Sequence, residues 1–344
     1  MASGPHSTSL INAPTLYEDE LGSLRKVTAD ELPVLSRISI KRLVLSPGAI
    51  REPHWHANAD ELTYCLEGEL LVSVLDDGDS FASFRLTPGQ MFHVQSGAIH
   101  HIENLGDSEA ELIVAFSHEE PEDFSMQAAY GEMSDAVLGN TYDLPSEAFS
   151  AIKRDTNPRY IVPRGGDAEV QEGADLENPA RFDVEAQSAP IDTPAGSAKL
   201  ARQQFWPVLR HLSMYSLRVT NEGMREPHWH PVTAELGYVV SGQARMTIMD
   251  PDGSTDTYEL EPGDVYFVPP AYPHHIEDIG GDDFHFLIFF DQPEPRDIGY
   301  RATGSAFSRE VLAATLGVEV SELPELPYTP VDPLVVKRSN PVDP

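Results

Sequence analysis

The sequence predicts a mainly β protein: two jelly-roll barrels in tandem, each followed by short helices. Three observations lead there. A length of 344 residues suits two domains of ordinary size. The chain repeats itself, Arg51-Glu-Pro-His-Trp-His56 returning as Arg225-Glu-Pro-His-Trp-His230 at an offset of 174 positions (225 − 51). In both halves short runs of branched apolar residues alternate with Gly, Pro and Asp, the pattern of many short strands closing a barrel or sandwich.

Residues 1–21 are polar and turn-rich, and are expected to form an arm that orders only against another domain or subunit. The first barrel is assigned to 22–154. Its strands begin at Ile38 to Leu45, continue through the His-Trp-His stretch and include Leu70 to Leu75, which Asp76-Asp-Gly-Asp79 turns back. Short apolar stripes behind serines at Ser134 and Ser146 predict helices after the barrel, with packing as their role. Residues 155–195 are rich in Pro, Gly, Asp and Glu, cannot bury much apolar surface, and read as a surface linker without chemistry. The second barrel and its tail take 196–344, with Leu212 to Val219 matching the first strand, Arg245 to Met249 matching the third, and a helix from Ser308 to Leu316.

Lys and Arg number 23 against 56 Asp and Glu, a formal charge of −33. Nucleic acid and anionic lipid would be repelled. A small anionic ligand would need a local positive centre, which a metal ion with Arg51 or Arg225 could supply. Only Lys26, Lys41, Lys153, Lys199 and Lys337 are lysines, and the single cysteine, Cys65, excludes a disulfide within one chain. No basic-then-apolar leader stands at the N-terminus and no segment is apolar for the length of a membrane span. The expectation is a soluble, cytoplasmic protein.

His54 and His56 are separated by one residue and therefore share a face of an extended strand. Glu61 follows after a four-residue connection, and the same spacing recurs in His228, His230 and Glu235. The offset that joins these pairs also carries His100 onto His274, so each half holds three histidines and one glutamate. Imidazole nitrogen with carboxylate oxygen suits a divalent transition metal, and Mn, Fe, Ni, Cu and Zn all accept that set. His101, His275, Trp55 and Trp229 each directly follow a proposed ligand and are expected to point away. Inward positions after the glutamates are Thr63 and Cys65 in one half but Gly237 and Val239 in the other, which predicts a roomier, less polar second cavity.

In these residues the chain resembles the cupins. Gly48, five residues, His54-Trp-His56, four residues, Glu61, six residues and Gly68 fit the first cupin motif, and Gly89 to Gly97 with His100 to Asn104 resembles the second. Gln95 stands where a proline is usual, Ala271 and Asp278 replace a glycine and an asparagine in the later half, and Gly223 lies one residue closer to its histidine than Gly48 does. The resemblance spans about 22–145 and 196–325, and among two-cupin proteins it is most similar to the oxalate decarboxylases. It implies two Mn ions per chain, a small carboxylic acid and dioxygen as reactants, formate and carbon dioxide as products, and assembly into trimers or dimers of trimers. It further implies that Arg51 and Arg225 turn into their pockets to hold the substrate carboxylate, a role suited to the paired guanidinium donors. The family's proton donor is a lid glutamate in a Ser-Glu-Asn-Ser stretch. This chain has Ser117-His-Glu-Glu-Pro-Glu-Asp-Phe124 there, leaving Glu119, Glu120 and Glu122 as candidate replacements, Glu119 and Glu120 foremost. Without a donor the same centre would act as an oxalate oxidase; another cupin dioxygenase or isomerase, or a storage or sensing bicupin, are the further alternatives.

Overall fold

The structure, a computed structural model, describes residues 4–342. It separates into two compact units: one built from 13–31 and 37–186, the other from the chain up to residue 12, 32–36 and everything from 187 on.

Each unit is a sandwich of two antiparallel sheets. In the first, one sheet runs Arg181–Asp183, Gln90–Val94, Glu61–Glu67, Ala110–Phe116, Ser39–Leu45, Gly22–Val27, Thr15–Asp19. Facing it are Asp123–Ser125, Ala49–His56, Ile99–Asn104, Leu70–Leu75 and Phe81–Leu86, with Ile161–Pro163 also paired to Ala49–His56. These strands form where they do because the inward side chains are large and apolar. Leu43, Leu45, Val72, Phe84, Phe92 and Leu112 meet between the sheets, each burial contributing about 1.5–3 kcal/mol relative to exposure. The second unit repeats the design with Leu217, Met246, Ile276, Phe284 and Phe286 in its core.

The two repeats exchange their leading strands. Ser7–Ser9 pairs with Asp264–Val268 in the unit of the second repeat, whereas the residues 174 positions later, Arg181–Asp183, pair with Gln90–Val94 in the first. Each covers an otherwise open sheet edge. His6 pins the first of these strands: it is buried, its Nδ1 donates to the Phe267 carbonyl at 3.0 Å, and its Nε2 faces Asp250 at 3.4 Å.

Two sequence expectations change here. The arm 1–21 is divided, its residues 4–12 joining the second unit while Thr15–Asp19 pairs with Gly22–Val27 in the first; residues 1–3 lie outside the described part. The stretch 155–195 is not a plain linker, since Ile161–Pro163 and Arg181–Asp183 are strands of the first unit and the division falls after residue 186. Such three-residue strands owe their existence to the edge they pair with, not to an apolar pattern of their own.

After the barrels, Met126–Glu132 and Asp135–Tyr142 precede a 3₁₀ turn at Ser146–Phe149, and Tyr300–Ala306 precedes Arg309–Leu316. Ser134 and Ser308 cap their helices by accepting from the backbone amides of Val137 and Val311. Among the described residues, no helix is long and apolar enough to cross a membrane.

Candidate metal centres

The two sheets of the first unit each contribute to one cluster. His54, His56 and His100 come from one sheet, with His54 directly opposite His100 across neighbouring strands. Glu61 comes from the facing sheet, which the connection 57–60 reaches by crossing between layers. All four side chains are buried, and their ligating atoms lie within 4.8 Å of one another. Glu61 Oε2 is 2.9 Å from His56 Nε2 and 3.2 Å from His100 Nε2. His228, His230, Glu235 and His274 form the same cluster in the second unit, with Glu235 Oε2 2.7 Å from His230 Nε2 and 3.4 Å from His274 Nε2.

Every ring is fixed by its other nitrogen. Nδ1 of His54 and His228 donates to the carbonyls of Glu52 and Glu226 at 2.8 and 2.7 Å. Those of His100 and His274 donate to Ala98 and Tyr272 at 3.3 and 3.0 Å. That of His56 donates to the Asp123 carboxylate at 2.8 Å, and that of His230 faces the Arg296 carbonyl at 3.1 Å and the Asp297 carboxylate at 2.9 Å. With the proton on Nδ1, each Nε2 presents a lone pair to the centre, the tautomer a metal requires. Nε2 of His228 and of His274 is buried without a hydrogen-bond partner, a costly arrangement unless a cation takes its place. The donor set therefore fits a divalent transition ion in both units. Burial, reinforced by Arg51 or Arg225, holds His54 and His228 well below the usual imidazole pKa. Burial also opposes ionisation of Glu61 and Glu235, but the neighbouring histidines prevail and keep both carboxyls well below their ordinary range.

Arg51 stands three residues before His54, which in a regular strand would put them on opposite faces. A bulge resolves this: Arg51 to His54 spans three steps while the opposing strand takes two, Ile102 to His100. Arg225 to His228 has the same irregularity against Ile276 and His274. Arg51 thereby lines one small cavity, about 20 Å³, with His54, His56, Glu61 and Lys41. Its guanidinium donates to the Tyr160 carbonyl at 3.2 Å and to Asp123 at 3.3 Å; Arg225 does the same with Leu334 at 3.0 Å and with Asp297. Glu52 is not its partner, since its carboxylate accepts from the backbone amides of Arg159 and Tyr160. The stretch expected to lack chemistry thus supplies the carbonyl that aims Arg51.

Asp123 and Asp297 are site residues that sequence reasoning missed, although they obey the same 174 offset. Asp123 bonds Lys41 at 2.9 and 3.0 Å as well as His56 and Arg51. Burial raises its pKa, but Lys41, His56 and Arg51 outweigh burial and hold the carboxyl far below the usual range. Burial lowers the Lys41 pKa from its ordinary value, opposed by Asp123.

The room expected beside Gly237 in the second centre is taken up. A Cβ on Gly237 would lie 2.1 Å from the Tyr266 ring, so the tyrosine fills the space the glycine frees, and its hydroxyl donates to Glu235 Oε1 at 2.7 Å. Thr63 makes that bond in the first unit, to Glu61 Oε1 at 2.7 Å. The two foremost lid candidates face elsewhere: Glu119 accepts from the Arg37 amide at 2.8 Å and Glu120 from the Asp30 amide at 3.1 Å, and neither lines the cavity. Trp55 stacks on Phe124, and His101 is only partly buried, with its ring near Glu103.

The cupin family profile matches this chain at residues 8–148 and again at 183–323. The chain belongs to the cupin family, twice over. This bicupin is 31% identical over 286 residues to oxalate decarboxylase OxdC of Bacillus subtilis (strain 168), covering 80% of this chain and 73% of that one. To a probable oxalate decarboxylase of Arthroderma benhamiae it is 25% identical over 331 residues, 93% and 80% of the two chains. The solved structure of the Bacillus subtilis oxalate decarboxylase at pH 4.6 superposes with a TM-score of 0.84 at 25% identity, over 98% of this bicupin and 89% of that chain. Mn(II) centres are named for the Bacillus subtilis enzyme.

Proposed function

We propose that this bicupin is a manganese-dependent enzyme that splits oxalate, or a closely similar small acid, into formate and carbon dioxide. The observation that carries the reading is the joining of a three-histidine, one-glutamate cluster to an inward arginine at one buried cavity, in a chain most of whose length aligns with oxalate decarboxylases. A bound divalent ion would offer an open position to one carboxylate oxygen and, being redox-active, would exchange an electron with the acid, with dioxygen as co-reactant. The chain's own residues do the rest. Arg51 presents paired donors to the carboxylate, and Leu24, Leu43, Ile102, Val114 and Phe116 keep water from the reacting carbon. A cavity of about 20 Å³ holds about one water. Entry of oxalate therefore requires the wall to open, a step of the kind that sets turnover in lidded enzymes.

A second reading has its own support. Glu119 and Glu120 are engaged by the backbone amides of Arg37 and Asp30, and a centre without a carboxyl donor would favour oxidation of oxalate to two carbon dioxide molecules, its two electrons and two protons from water reducing dioxygen to hydrogen peroxide. Elemental analysis followed by incubation with oxalate separates the two: formate is the expected product, and peroxide without formate would replace decarboxylase by oxidase. Protein that carries two Mn ions and leaves oxalate untouched would refute both. We also infer a cytoplasmic homo-oligomer, trimer or dimer of trimers. The helices after each barrel leave Val137 and Tyr142, and Val311 and Leu316, exposed, which supports self-association.

A further inference from the structure

The two centres match at almost every charged position. Arg51 corresponds to Arg225, Glu61 to Glu235 and Asp123 to Asp297, and outside the cavity Glu52, whose carboxylate turns to the Arg159 and Tyr160 amides, corresponds to Glu226. Position 41 breaks the match, because its counterpart is Tyr215. Lys41 leaves Ser39–Leu45, in the sheet that supplies Glu61, and lines the cavity beside Arg51 and the ligands. Its ammonium is buried, grips both oxygens of Asp123 at 2.9 and 3.0 Å, and lies 4.6 Å from the centre of the Phe116 ring. Tyr215 instead packs on Phe290 and reaches Arg202 at 3.5 Å, a guanidinium already paired with Glu294.

With a divalent ion in each cluster, the cationic groups around the first cavity are the ion, Lys41 and Arg51, and the anionic ones Glu61 and Asp123. The balance is two positive charges. Around the second it is the ion and Arg225 against Glu235 and Asp297, a balance of one. Charge buried without compensation is strongly disfavoured. A dianion brings the first centre to neutrality but would overload the second, which a monoanion neutralises.

Resting on the carboxylate reading above, we propose that Lys41 makes the first centre the one that accepts dianionic dicarboxylates, and that Tyr215 restricts the second to monocarboxylates. Duplicated centres with the same ligands then hold differently charged occupants, which assigns substrate to the first and a monoanion such as the formate product to the second.

Calorimetric titration of metal-loaded protein at neutral pH with oxalate, malonate, formate and acetate tests this, with metal content measured alongside. Wild type is expected to take up one dicarboxylate per chain. Lys41→Met should weaken oxalate and malonate about ten- to a hundredfold, the weight of one buried charge-assisted hydrogen bond, while formate and acetate change far less and both ions stay. Tyr215→Lys leaves the first centre untouched and should create a second dicarboxylate site, so the test stands even if Lys41→Met does not fold. Unchanged oxalate affinity in Lys41→Met, or equal losses for dicarboxylates and monocarboxylates, would overturn the role of Lys41 alone. Wild type that binds none of the four acids would overturn the carboxylate reading and this proposal with it.

Discussion

Asp123→Asn is the most searching single perturbation of the first centre. The change keeps shape and an oxygen for the His56 Nδ1 proton but removes the negative charge that Lys41 and Arg51 share. Both cations are almost fully buried, with side-chain exposures of 6% and 5%, so neither can turn to water. Breaking a buried ion pair costs about 3–5 kcal/mol. Because the amide still accepts one bond and Arg51 keeps the Tyr160 carbonyl at 3.2 Å, the lower end, about 3 kcal/mol, is expected. For a unit of this size that corresponds to a melting shift of roughly 6–12 °C. The carboxylate also stands behind a metal-ligating imidazole, and loss of such support lowers metal affinity about 10–100-fold. Calorimetric melting of the metal-free protein reads the first number and chelator competition the second, with the second centre as internal control. A melting shift under about 2 °C together with unchanged affinity at both centres would refute the idea that Asp123 ties cations and ligand together.

Further outcomes follow from the same geometry. His54→Ala should lower metal content from about two ions per chain to about one by emptying the first centre, and His228→Ala should do so at the second, because each ligand set is complete within its own unit; loss of both ions from either variant would contradict this. At the second centre, burial pushes His230 down, but the hydrogen bonds it donates to the Asp297 and Glu235 carboxylates carry its pKa up to about 9. Metal must displace that proton, so apparent affinity should climb about tenfold per pH unit until about pH 9 and level off above it; a flat profile between pH 7 and 9 would be inconsistent. By the same shift, the metal-free protein has stability that is fully present below the ordinary imidazole pKa of about 6.5 and is lost as pH rises through about 9. Tyr266→Phe removes the donor to Glu235 Oε1 and should weaken metal retention at the second centre by about tenfold while sparing the first, as chelator competition would show.

The eight clustered side chains were legible because the information is local or repeated: alternation in one strand aligns His54 with His56, and the offset finds His100 and His274. Asp123 and Asp297 obeyed that offset too, yet one acid among 56 Asp and Glu has no local mark, and only the pairing of Asp123–Ser125 with Ala49–His56 brings it to the ring. The parity of Arg51 misled because a bulge is a relation between two strands. Gly237 misled for a similar reason: an absent side chain is visible in sequence, but the Tyr266 ring that occupies its place arrives from the neighbouring strand. Tyr160 acts through its backbone carbonyl, which every residue possesses.

The exchanged leading strands impose an order on synthesis. Ser7 pairs with Tyr266, so it must wait for roughly 250 further residues, or about 13–50 seconds at 5–20 residues per second. Meanwhile the edge strand Gln90–Val94 of the first barrel awaits Arg181–Asp183. The first repeat therefore leaves the ribosome carrying a strand for a barrel that does not yet exist, while its own barrel stays one strand short.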